Sequence, residues 1–324
     1  MRDMRENVPR GVPSAVGTLP EELETDVIQG LPGEEGPRTE TLTTRQIAWR
    51  RFKRHKPAMV SMFVLALLGL VTLLAPVLPL QSYSKINFAA QLQSPSVHHW
   101  FGTDNLGRDI FSRVIYGGRI SLMIGLSVAL ASGILGTAVG AVAGFYGKWV
   151  DQGLMRFTDL FLAIPFLVVL ILASQIFGGS VFDIVLILSL FFWMPNARIV
   201  RGVVLSLKEK EFVEAARASG SSNRRMIMSH ILPNAMGPII VVITLGVAAA
   251  ILTESALSFL GFGVQPPTPT WGNMLNSAQN FVLVHPPMVW FPGLFILITV
   301  LAVNFVGDGM RDAFDPHQKL KTEV

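Results

Sequence analysis

The chain has 324 residues, 51% of them hydrophobic and only 15% charged, with a formal net charge of +4 and no cysteine. Soluble domains carry about a quarter charged residues, so this shortfall, with a mean hydropathy of +0.50, points to a bilayer as solvent. Disulfides, thiol catalysis and cysteine-ligated metal are excluded, and so small a positive charge gives no reason to expect nucleic acid as a partner.

Residues 1–44 hold five prolines and nine acidic against four basic residues, without a sustained apolar period. Such a segment buries too little to offset the entropy of ordering, so an acidic, disordered tail is expected. The first apolar run also begins too late for a cleavable signal peptide. Residues 45–80 then read as a basic juxtamembrane segment, RQIAWRRFKRHKP, running into a first apolar span at 58–80. A hydrocarbon core about 30 Å thick takes roughly 20 helical residues. Five further runs meet that length, at 119–145, 157–178, 181–205, 237–262 and 288–308.

The predicted fold is therefore all-α and polytopic, with six transmembrane helices. Lysine and arginine bias sets the orientation. The 45–56 cluster, Lys148, Arg156, the 208–225 group, Arg311, Lys319 and Lys321 fall on one side, while 263–287 contains no Lys or Arg. Loop 81–118 resists, with Lys85, Arg108 and Arg113 partly balanced by Asp104 and Asp109. The balance places both ends of the chain in the cytoplasm. A core over 119–310 then holds five spans and a cytoplasmic loop at 206–236, followed by a carboxyl tail at 311–324.

In the second span Gly136, Gly140 and Gly144 recur every four residues and share a face, which lets another helix approach closely. Pro165, Pro195 and Pro292 lie in or near spans and mark bends. Chemistry of the chain's own is not evident. The nearest approach to a phosphate-cradling loop, VAGFYGKW, lacks the first glycine and ends in tryptophan. The adjacent pair His98–His99 does not converge on a metal without further ligands. Intramembrane charge reduces to Glu254, with Arg156, Asp159, Asp183 and Asp308 near span ends. Glu254 reads either as a structural hydrogen bond, through Ser255 or Ser258, or as the coupling site of a stand-alone ion-coupled carrier.

The polar stretch EFVEAARASGSSNRRMIMSHILPN, 211–234, interrupts the apolar runs. Phe212, Ala215 and Ala216 stand at helical spacing, Gly220 can stop that helix, and Ser221 or Ser222 can cap a second. In the second, Met226, Ile227, His230 and Ile231 share a face until Pro233 ends it. Pattern alone leaves two readings open: a knob for a partner protein, or a loop lying on lipid headgroups.

Glu214-Ala215-Ala216, then Gly220, then Leu232-Pro233, resembles the EAA signature of permease subunits of bacterial binding-protein-dependent ABC importers, with His230 in a slot usually held by isoleucine. FGTDNLGRDIFSRVIYGGRISL (101–122), ESALSFLGFG (254–263) and GDGMRDAFDP (307–316) are similar to segments of the dipeptide, oligopeptide and nickel permeases, specifically their C-type subunit. The resemblance covers about 45–318 and implies a type I, MetI-like permease of the bacterial inner membrane. It implies a heterodimer with a homologous B-type permease, two cytoplasmic ATPase subunits that bind ATP and Mg, and an extracytoplasmic solute-binding protein; this chain would bind no cofactor or metal and would not itself be an enzyme. Glu214, Ala215, Ala216, Gly220, His230, Leu232 and Pro233 are then the expected ATPase-coupling residues. Asp104, Arg108 and Asp109 in loop 81–118 are candidates for receptor docking, the competing reading being an interfacial collar over 105–118.

Overall fold

The computed structural model describes residues 44–315. The acidic tail expected over 1–44, all but its last residue, and the end of the carboxyl tail, with Lys319 and Lys321, lie outside the described residues. A short basic helix, α1 (Thr44–Arg54), is followed by α2 (Lys56–Leu73), the first span. His55 separates them: its Nδ1 accepts the Ala58 N–H at 3.1 Å, and Pro57 sits in the first turn, where its missing N–H costs nothing.

The second span is much longer than its apolar run. Helix α3 (Ile110–Tyr146) has 37 residues, about 55 Å at 1.5 Å per residue. It starts nine residues before the expected 119, because Asp109 caps it: its Oδ2 accepts the Ser112 N–H at 2.7 Å. The supposed collar is thus the first turns of a buried helix, with Ile110, Val114, Ile115 and Gly118 enclosed.

The third span departs most from expectation. In place of one helix over 157–178, α4 (Lys148–Leu162) and α5 (Phe166–Phe177) meet at an 84° bend. Pro165 lies at the break, where residues before a proline are pushed from helical geometry. Helix α4 is amphipathic, and its Asp151 and Asp159 pair with Arg201 and Arg198. Those arginines lie on α6 (Val181–Lys208), which opens on a Ser180–Asp183 capping box. Hydropathy sees an apolar run but not the pairs that draw α4 aside.

Helix α7 (Glu211–Ala218) leads to α8 (Asn223–Phe259), continuous through a π turn at Met226–Ile231. Pro233 therefore does not end a short helix, as the pattern suggested. It lacks the N–H an α-helix would use, and the widened turn, with Leu232 N–H bonded to the Ile227 carbonyl, absorbs that defect. In the loop after α8, α9 (Trp271–Ala278) precedes α10 (Pro287–Phe314). Among the described residues, five helices (α2, α3, α6, α8 and α10) are long and apolar enough to cross a membrane, six crossings if the α4–α5 pair counts as one.

The glycine stripe packs as its spacing implies. A Cβ on Gly136 would stand 2.6 Å from the Asn196 Cβ, and one on Gly144 would stand 2.9 Å from the Arg201 carbonyl oxygen. Helices α3 and α6 thus approach to backbone contact. At one end of the bundle they join α7 and α8 in one cluster of Phe145, Val200, Val204, Val213, Met226 and Ile231. At the other end, Ile110, Val114, Ile251, Trp271 and Met288 tie α3, α8, α9 and α10 together.

Candidate functional site: the knob at 211–234 and the outer cap

The knob begins with α7. Its Val213 is fully buried and Ala216 nearly so, one helical turn apart, while Glu214, Ala215 and Phe212 face outward. The docked face is Val213/Ala216, not the Phe212/Ala215/Ala216 set that spacing suggested, because the start of α8 and the ends of α3 and α6 supply the apolar partners. Gly220 then stops the helix in a left-handed conformation, φ +77°. Its N–H bonds the Arg217 carbonyl at 3.0 Å, and the Ser221 N–H bonds the Ala216 carbonyl at 3.1 Å. Those two bonds satisfy the carbonyls a helix end leaves open, and a side chain at that φ is strained. No atom lies within 4 Å of where a Cβ would stand, so any side chain there would project from the knob.

Ser222 caps the next helix, its Oγ accepting the Arg225 N–H at 3.4 Å. His230 lies in the π turn, half-buried, and the Asn234 side-chain amide donates to its carbonyl at 2.6 Å. The position thus serves the turn through its backbone. Leu232 and Ile227, with Arg224, line one wall of an open apolar groove of about 740 Å³. The α3 residues Ile134, Ala138, Val142 and Tyr146 line the opposite wall.

At the far end of the bundle, residues 81–109 fold into a tight cap. Asp104 organises it: Oδ1 accepts the Leu106 and Arg108 N–H groups, each at 2.9 Å, and Oδ2 takes Arg108 Nε at 2.7 Å. Arg113 approaches the same Oδ2 at 3.6 Å and donates to the Tyr83 carbonyl at 3.1 Å. Asp109 receives His99 Nδ1 at 2.9 Å while capping α3. Gly107 has φ +71°, and a Cβ there would overlap the Asn87 carbonyl. Asp104, Arg108 and Asp109 are all buried, so they hold the cap together and do not present charge outward.

Glu254 is fully buried, five residues before α8 ends at Phe259. Its Oε1 accepts the Ser258 hydroxyl at 2.7 Å and its Oε2 the Ser121 hydroxyl at 3.4 Å. Ser121 in turn accepts the Trp271 N–H at 3.3 Å, and Ser258 accepts the Val264 N–H at 3.3 Å. The carboxylate therefore ties α3, α8 and the start of α9, through Ser258 and Ser121. Sequence reading passed over Trp271, Thr270 and Asn273, which anchor α9. The indole donates to the Val114 carbonyl at 2.9 Å, and Thr270 and Asn273 form a capping box. The signal was there in T-W-G-N, a capping residue followed three places on by a reciprocal amide.

Residues 136–320, more than half of the chain, match the model of the binding-protein-dependent transport system inner membrane component. The chain belongs to this family. The permease also matches the N-terminal transmembrane domain of oligopeptide transport permease C over residues 43–95. It is 43% identical over 272 residues to the dipeptide transport system permease protein DppC of Alkalihalophilus pseudofirmus, covering 84% of this chain and 90% of that one. Identity is 41% over 269 residues to the oligopeptide transport system permease protein OppC of Bacillus subtilis, covering 83% and 88%. It is 39% over 272 residues to the glutathione transport system permease protein GsiD of Pectobacterium atrosepticum, covering 84% and 90%. Among solved structures, a chain of the MetNI methionine ABC transporter in inward-facing conformations overlays at TM-score 0.48 and 17% identity, covering 60% of this chain and 94% of that one.

The permease is thus a multi-pass inner-membrane protein and a transport component. The structure brings Glu214, Ala215, Gly220, His230, Leu232 and Pro233 together at one end of the bundle, with Ala216 turned into it. Glu254 and the Asp104–Arg108–Asp109 group lie away from the knob, against α9 and in the cap.

Proposed function

We propose that the permease forms half of the translocation pathway of an ATP-driven, solute-binding-protein-dependent importer of di- or oligopeptides, paired with a homologous B-type permease. Two cytoplasmic ATPase subunits supply the energy, holding ATP and Mg that this chain has no loop to bind. Both chain ends lie in the cytoplasm on this reading. The observation that carries it is the knob: a short helix stopped by Gly220, its inner face bolted to α3, α6 and α8, its outer face offering Glu214, Ala215 and Phe212. Force applied to such a knob reaches three spans at once, so closure of the ATPases shifts the bundle between inward- and outward-open packings. The peptide cargo is supported by the dipeptide and oligopeptide relatives; the glutathione relative keeps the cargo a property of the receptor as much as of this chain.

Receptor docking belongs to the exposed rim of the outer cap, including Val97 and Trp100, with the buried charges as its frame. Uptake of a labelled tripeptide into proteoliposomes carrying both permeases, the ATPases and the binding protein tests the whole reading. Uptake should require enclosed ATP and stop when the ATPase subunits are omitted. Gradient-driven uptake without them would establish the carrier reading instead.

A further inference from the structure

We propose that α1 is a recognition surface for anionic phospholipid headgroups, seated where the first span enters the bilayer. Helix α1 is amphipathic in an unusual sense, since both faces are accounted for by different partners. One face, Ala48 and Phe52, is buried against Ala58 and Ala313 with Val306, Met310 and Phe314 around them. Arg51 donates to the Asp315 carbonyl at 2.6 Å, and His55 Nε2 lies 3.8 Å from Asp312. The opposite face presents Arg50, Lys53 and Arg54, with Lys56 at the head of α2 and Trp49 at its edge, its ring stacked 5.9 Å from that of Phe52. That face carries no acidic residue, and among the described residues Arg50, Lys53, Arg54 and Lys56 enter no salt bridge.

Three features select a lipid surface over a soluble partner. The basic residues Arg50, Lys53, Arg54 and Lys56 all lie in the last two turns before Ala58 and the apolar run of α2, so their reach is to the headgroup layer. Trp49 is 49% exposed among them, with Lys53 Nζ 5.2 Å from its ring, and an indole beside cations is the side chain that favours the bilayer interface. Finally, basic clusters flanking a span attract anionic headgroups, an attraction that adds with each lysine or arginine. Because Phe52 and Arg51 fasten α1 to the end of α10, the headgroups that hold α1 also hold the last span in place.

The test uses the full-length permease in vesicles of phosphatidylcholine with roughly a fifth phosphatidylglycerol, in which one lipid or the other carries brominated acyl chains. The difference in tryptophan quenching between the native chain and Trp49→Phe isolates Trp49. Brominated phosphatidylglycerol should quench that component about twofold or more beyond its share of the bilayer, as expected for local enrichment by several basic residues. The triple variant Arg50→Gln, Lys53→Gln, Arg54→Gln should bring quenching down to the bulk share. Arg217→Gln, Arg224→Gln, Arg225→Gln should leave it unchanged, showing that the effect is local to α1. Quenching at the bulk share in the native chain, or a preference that survives the α1 triple variant, would overturn the proposal. So would protection of Trp49 from both brominated lipids on adding the ATPase subunits, which would make this face a protein contact.

Discussion

Gly220 is where local geometry meets the proposed energy coupling, and a graded series of substitutions separates strain from bulk. At φ +77° an L-residue suffers a clash between its Cβ and the following carbonyl, a cost of roughly 1–2 kcal/mol, eased for asparagine. Nothing stands within 4 Å of the Cβ position, so alanine adds strain without steric conflict inside the knob. A loss of about 1–2 kcal/mol corresponds to a roughly 5- to 30-fold fall in the ratio of formed to open helix end. Hydrogen exchange at the Ser219, Gly220 and Ser221 amides, which hold the helix end together, should accelerate by that factor in Gly220→Ala and by less in Gly220→Asn. Gly220→Leu adds a side chain that projects from the face proposed to meet the ATPase. It should leave the permease in the membrane while ATP hydrolysis runs without peptide uptake. Exchange in Gly220→Ala within twofold of the native chain, or normal uptake by Gly220→Leu, would refute the role assigned to this turn.

Two further outcomes follow from the outer end of the bundle. His285 is buried beside the cap, and burial holds its pKa below the ordinary histidine value, with the nearby Thr103 backbone opposing in part. The folded form thus binds fewer protons than the unfolded chain below about pH 6.5. Stability should be flat above that pH and decline as the pH falls toward the depressed folded value; thermal melting of the purified protein between pH 7.5 and 5.5 should show this, with a shallower decline in His285→Gln. For Glu254, the hydroxyl partners predict that Glu254→Gln keeps peptide uptake within about twofold, whereas Glu254→Leu loses roughly 1–3 kcal/mol in melting experiments by stranding the Ser121 and Ser258 hydroxyls. Abolition of uptake by Glu254→Gln with unchanged stability would restore the ion-coupling role.

Hydropathy located the five long spans because removal of the backbone from water demands long apolar helices, and the glycine stripe announced its own packing. It failed where charge decided geometry. The third apolar run, 157–178, breaks because Pro165 weakens the helix and the Asp151–Arg201 and Asp159–Arg198 pairs hold α4 against α6, a tertiary choice no local pattern contains. In GTDNLGRD the charges read as a solvent-facing loop, yet Asp104 satisfies backbone amides and two guanidinium groups inside the cap. Gly220 was legible as a helix stop because only φ separates it from its neighbours. The docked face of α7 was not, since Val213 and Phe212 are equally apolar and only the positions of α3, α6 and α8 choose between them. His230, read as a departure from the family pattern, contributes a carbonyl that any residue could supply.

The chain contains no cysteine, so a single thiol placed on the knob reports on its partner without background. With Ala215→Cys, exposed beside Glu214, a bifunctional thiol reagent of short reach should link the permease to an ATPase subunit bearing one surface cysteine. The link should lock the assembly and stop ATP-driven peptide uptake, with recovery when a reducible linker is cleaved. Full uptake by a quantitatively linked complex would contradict transmission through the knob, and so would the absence of any link in a complex that transports normally.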